Sequence, residues 1–187
     1  MKQEFTKEFF RSKMKILTTL DIKNLSFIKN KPITLCDILD SEMLLKNKYY
    51  FVYDVISSKE DKRNIDSNVA EILLPLFKGK DSEKEKLKEL IELTKGFLRG
   101  DIYIDVLTKK RHECMVITDN CNDILNSAIT IAITNNAGAA FCSSKTGSAT
   151  NIFFVIKLIP EYENKLLTFL KNYCNYDNSI SRYSNDL

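Results

Sequence analysis

An α+β fold, with an antiparallel sheet of about four or five strands packed against helices, is what the sequence predicts. Two observations predict the sheet. Aromatic and β-branched residues crowd into YYFVYDVI at 49–56 and NIFFVIKLI at 151–159, and apolar residues alternate in DIYIDVL at 101–107. Turn-like segments, TKKR and SKTGS, separate such runs and predict hairpins near 101–118 and 139–159. A third observation supplies the helices: a period near 3.6 at 81–99 and again at 162–173.

The length of 187 residues fits one domain, expected over 1–175, with a polar tail at 176–187. Residues 2–17 place Phe5, Phe9, Phe10, Met14 and Leu17 at helical spacing and predict a docked amphipathic helix. After Pro32, ITLCDILDSEML reads as a short helix or turn-rich connection, and SSKEDKRNIDS as a charged loop. A helix is expected to start near Asn68, with Glu71 as its capping-box partner, and Pro75 to end or kink it. From Asp81 to Arg99, Ser82 and Glu85 have capping-box spacing. Leu87, Leu90, Ile91, Phe97 and Leu98 make the apolar stripe, and Gly100 stands where a terminating glycine belongs. NCNDILNSAITIAIT predicts another helix, begun by Asp119 or Asp123 and closed by Asn136 and Gly138. Pro160 suits the first turn of a last helix with Tyr162, Leu166, Phe169, Leu170 and Tyr173 inward.

Charge and cysteines narrow the function classes. The net charge is +3, with 23 Lys against 5 Arg, so no strongly basic face selected for phosphate is indicated. Five cysteines, an odd number without Cys-x-x-Cys, read as reduced thiols in a cytoplasmic setting. No run reaches the ~20 apolar residues of a membrane span.

One compositional anomaly stands out. From Ile124 to Ile156 there are 33 residues and a single charged side chain, Lys145, where the average of 28% predicts about nine. Its helix is apolar nearly all round, interrupted only by small uncharged groups. Such a helix is either central to a core or covered by something else. Charge depletion also marks the centre of contact patches, which makes Asn126, Ser127, Thr130, Ile131 and Thr134 candidate interface residues.

The candidate chemistry is sparse. Ser143, Ser144, Lys145, Thr146 and Ser148 supply hydroxyls and one cation to a loop able to hold phosphate. The P-loop pattern is absent, however, and a hairpin turn around Gly147 accounts for the same residues. His112, the sole histidine, would share a strand face with Cys114, near Cys142, but no zinc-type set of ligand pairs exists. Asp101 and Asp105 would sit about 13 Å apart on a strand, too far to share an ion. Lys109, Lys110 and Arg111 form a short basic run that offers weak nucleic-acid binding as an alternative.

The resulting expectation is a non-catalytic interaction or regulatory module, self-associating or held in a complex through 124–156. It uses no cofactor and no metal, and its partner is a protein rather than nucleic acid. A small enzyme or phosphate-ligand binder using the 143–150 loop is the alternative.

Overall fold

Helices, not strands, build this protein. A computed structural model describes residues 4–5, 33–55, 59–141 and 147–176. It contains α1 (Leu35–Asp40), α2 (Leu45–Val55), α3 (Lys59–Leu73), α4 (Asp81–Arg99), α5 (Ile104–Asp119), α6 (Ile124–Phe141), α7 (Gly147–Leu158) and α8 (Tyr162–Tyr176). Among the described residues the only extended pairing is a two-residue antiparallel bridge, Glu4 opposite Thr34 and Phe5 opposite Ile33. The α+β expectation, with its sheet of four or five strands, is thereby corrected to a helical fold.

Each misread strand has a burial pattern that explains the correction. In YYFVYDVI and the residues before it, Leu45, Lys48, Tyr49 and Val52 form a buried helical line with Asn47 and Phe51 buried beside it, so burial takes in consecutive positions that a strand would turn to opposite faces. Residues 101–118, expected as a hairpin, become the approach to α5 and α5 itself, with Leu107, Cys114 and Ile117 inward. The alternating Ile104 and Val106 are left in solvent, so their alternation never described two faces of a sheet. The expected hairpin at 139–159 is the end of α6 followed by α7, where Ile152, Val155 and Ile156 are buried and Phe154 is exposed. Strand propensity records how a residue fits a pleated surface, and packing within helices overrode it here.

The chain divides into two compact units, Met1–Ser57 with Glu163–Leu187, and Ser58–Tyr162. In the first unit, Thr34 and Asp37 form a reciprocal capping box at the start of α1. The Thr34 hydroxyl accepts from the Asp37 backbone N–H at 3.2 Å, and the Asp37 carboxylate accepts from the Thr34 N–H at 2.8 Å. Leu166 and Leu170 of α8 are buried as the sequence predicts, and Lys171 pairs with Asp40. Pro160 lies in the turn before α8, outside its first helical turn. The helix expected at 2–17 lies outside the described residues except at Glu4 and Phe5, which are extended, and the tail beyond Tyr176 lies wholly outside them.

The second unit is arranged around α6, against which α3, α4, α5 and α7 all pack. Helix α3 begins at Lys59 rather than near Asn68, because its charged first half still sets Ile65, Val69 and Leu73 four residues apart on one buried line. Asn68 is internal to it and donates to the Asn64 carbonyl at 2.8 Å, while Glu71 pairs with Lys95 of α4. Pro75 does end the helix, in a 3-10 turn at Leu74–Leu76. Helix α4 has the expected bounds, but its first turn is closed by Glu83, which accepts the Lys80 backbone N–H at 3.2 Å, not by Ser82 and Glu85.

Helix α6 begins as expected from Asp123, whose carboxylate accepts the Asn126 N–H at 2.7 Å. Asp119 instead finishes α5, and α6 runs on through Asn136 and Gly138 to Phe141. No helix among the described residues is long and apolar enough to cross a membrane.

Candidate interaction surface

The helix of the uncharged segment, α6, owes its composition chiefly to burial within its own chain. Around α6, Ala128, Ile129, Ala132, Ile133, Ala137 and Ala140 are buried over about half of the circumference, and Asn126, Thr130 and Thr134 widen that buried arc, leaving the line of Ile124, Ser127 and Ile131 more accessible. Three of the five candidate interface residues, Asn126, Thr130 and Thr134, are inside the protein. Their polar groups are used there. Thr130 Oγ1 donates to the Asn126 carbonyl and Thr134 Oγ1 to the Thr130 carbonyl, both at 2.9 Å, and Asn126 Oδ1 accepts the Lys78 backbone N–H at 2.7 Å. Asn136 Nδ2 donates to the Asp66 carbonyl. Charge would be costly at such positions, whereas a hydroxyl or amide bonded to backbone is tolerated. Only Ser127 and Ile131 of the five retain partial exposure.

The basic run is not a patch. Lys109, Lys110 and Arg111 sit mid-helix in α5 and point in three directions. Lys109 is exposed. Lys110 bridges to Glu89 of α4 and to Glu113, and the hydrogen bond it donates to Glu89 raises its pKa above the ordinary lysine value. Arg111 crosses to α6, where its Nε donates to the Thr134 carbonyl at 2.9 Å.

Ser143, Ser144, Lys145 and Thr146 lie outside the described residues. Gly147 opens α7 and Ser148 lies in its first turn, so this segment leads into a helix and the hairpin-turn explanation of it is withdrawn. Cys142 also lies outside. His112 and Cys114 share a helix, with His112 exposed and Cys114 buried, its thiol donating to the Lys86 carbonyl at 3.4 Å. Burial pushes that thiol up to about 11, the wrong direction for a nucleophile. Asp101 and Asp105 are both exposed. Among the described residues no group of three or more His, Cys, Asp or Glu side chains is placed to hold a metal ion.

The sequence reading missed a set of exposed large apolar side chains. Tyr103 is 82% exposed just ahead of α5, Val116 54% exposed within it, and Ile124 67% exposed at the start of α6. Ile104, Val106 and Met115 of α5 are also exposed. Their signal was present in the sequence. Once Leu107, Cys114 and Ile117 are taken as the inward line, these apolar residues fall off it. Reading the same letters as strand faces hid the surplus. The chain matches no family model, no curated protein and no solved structure.

Proposed function

We propose that this chain is a non-catalytic protein–protein interaction or regulatory module, acting in the cytoplasm with a second copy of itself or another protein. The observation that carries this reading is the apolar surface of α5 and the start of α6, above all Tyr103, Val116 and Ile124. Scattered apolar residues on a surface are ordinary; here Ile104 and Met115 share one side of α5 with Val116 on the next, a surplus of large apolar groups beside a charge-poor helix that fits a contact area. Ser127 and Ile131, half-accessible on α6, extend it. The thiols of Cys114 and Cys121, neither of them in a disulfide, suit a reducing compartment.

The test is the oligomeric state of the full chain, followed by light scattering across a concentration series, with and without Val116→Asp and Ile124→Asp. Concentration-dependent association, or a stable co-purifying protein, that either variant weakens supports the reading. A strict monomer, with no partner retained and melting curves indifferent to added protein, removes it.

A further inference from the structure

We infer that the boundary between α5 and α6 receives an acidic side chain from a protein partner, with Arg111 as the anchor that grips it. This inference rests on the reading of the chain as an interaction module and adds the chemistry of the contact.

The seat of Arg111 is built. Its Nε donates to the Thr134 carbonyl at 2.9 Å, and its guanidinium lies against Gly138, where a Cβ would come within 3.0 Å of Nε and 3.3 Å of Cζ. Helix α6 thus carries no side chain at the one place where this group rests. The terminal Nη groups, by contrast, make no hydrogen bond or ion pair with any described residue. Neighbouring cations behave differently: Lys110 is paired with Glu89 and Glu113, Lys95 with Glu71, and Arg99 with Asp101. Arg111 is fixed in position yet, among the described residues, not neutralised.

Its surroundings say what fits. Residues three and four apart share a helix face, so Ile104, Thr108 and Met115 lie in line with Arg111 on α5. Because Arg111 reaches α6 at Thr134 and Gly138, this line borders the half-accessible Ile131. No carboxylate occurs anywhere in α6 to compete for the fork. A held guanidinium with open Nη groups matches a carboxylate in two parallel hydrogen bonds, and the ordering entropy is already spent in the folded chain. Arginine among apolar residues is also the residue type that dominates binding energy at protein contacts. The occupant is therefore a protein segment with Asp or Glu set among apolar residues. Nucleic acid fits less well, since it would need several cations on one face, and Lys110 is already engaged.

Selection of random displayed peptides against the full chain provides the probe. The expected result is enrichment of peptides that carry an acid flanked by apolar residues. Their binding should fall about tenfold or more with Arg111→Ala, and by a smaller factor with Arg111→Lys, which keeps charge but loses the fork. Gly138→Ala should weaken binding by less than Arg111→Ala, because it crowds the guanidinium by a few tenths of an ångström without altering charge. Lys109→Ala should leave binding unchanged, and circular dichroism of each variant checks that the helices persist. Acidic peptides that bind Arg111→Ala as tightly as wild type, or enriched peptides without acids, overturn the inference while leaving the interaction module intact. Competition by a DNA oligonucleotide that depends on Lys109 as much as Arg111 overturns it in favour of nucleic acid. Failure to enrich any peptide, together with a strict monomer, removes the underlying reading too.

Discussion

Two buried titratable side chains show how single residues respond to this fold. Lys48 is 6% exposed and its Nζ donates to the Leu39 carbonyl at 2.9 Å, near the C-terminal end of α1. Burial lowers its affinity for a proton below the ordinary 10.5, and Lys171 adds to the effect, while Asp40 and Glu163 oppose it. In the unfolded chain Lys48 titrates normally. Between the lowered folded value and 10.5 the unfolded state therefore binds more protons, and this group's contribution to stability rises with pH. Below that window the full cost of burying the ammonium is present. Lys48→Met should thus compare best with wild type near neutral pH, and its relative stability should decline as pH climbs towards 10.5. Urea unfolding at a series of pH values measures this, and a difference independent of pH would refute it. Cys114 supplies a second case. With its thiol buried and raised to about 11, iodoacetamide at neutral pH should leave it unmodified in the native protein and label it only in denaturant. Peptide mapping that finds Cys114 labelled as fast as the partly exposed Cys121 would contradict that assignment.

Among the elements, α4 was legible in its bounds, its stripe and its ending, though not in its cap, and α5 was not. Helix α4 keeps its apolar stripe on one side and charge on the other, and it ends in a local motif that needs no tertiary partner. Gly100 adopts φ 85°, the left-handed region, and its N–H reaches the Phe97 carbonyl at 3.0 Å. The Asp101 N–H reaches the Gly96 carbonyl at 2.8 Å, completing a Schellman ending. Ile102 then folds back onto Gly96, where a Cβ would come within 2.6 Å of its Cγ1. Gly100→Ala has open space around it, so its cost is conformational, about 1–2 kcal/mol by thermal or urea unfolding. A neutral result would show that the left-handed ending is not needed. Helix α5 has apolar residues off its buried line, and that surplus mimicked alternation. Helix α6 was recognised as a helix and as shielded from water, although the sequence contained no sign of which neighbours shield it. Its start rests on Asp123, and Asp123→Ala should cost about 1 kcal/mol through loss of the bond to the Asn126 N–H. An unchanged melting temperature would mean that packing alone sets the start of α6.

At the scale of the whole molecule, the second unit, Ser58–Tyr162, has its own core around α6, against which its helices α3, α4, α5 and α7 pack. A fragment of those residues should therefore fold with a cooperative melt and a helical circular dichroism spectrum, as a unit with its own core can. A broad, non-cooperative transition would show that the unit depends on the rest of the chain. A spectrum of the full protein dominated by strand would contradict the helical architecture itself.

What the sequence by itself determined was local. The bounds of α4 and its glycine ending, the stop at Pro75, the Asp123 cap and the inward Leu166 and Leu170 of α8 each follow from residues within a turn or two of one another. It also pointed to burial around most of α6, because charge cannot be buried unpaired. Only the tertiary structure decided which partners do the shielding. It placed α3, α4, α5 and α7 around α6, turned expected hairpins into helices and left Tyr103, Val116 and Ile124 outside. The reason is physical: a β-branched or aromatic residue is compatible with either backbone, so the contacts available across the fold, not the residue's own preference, choose between them.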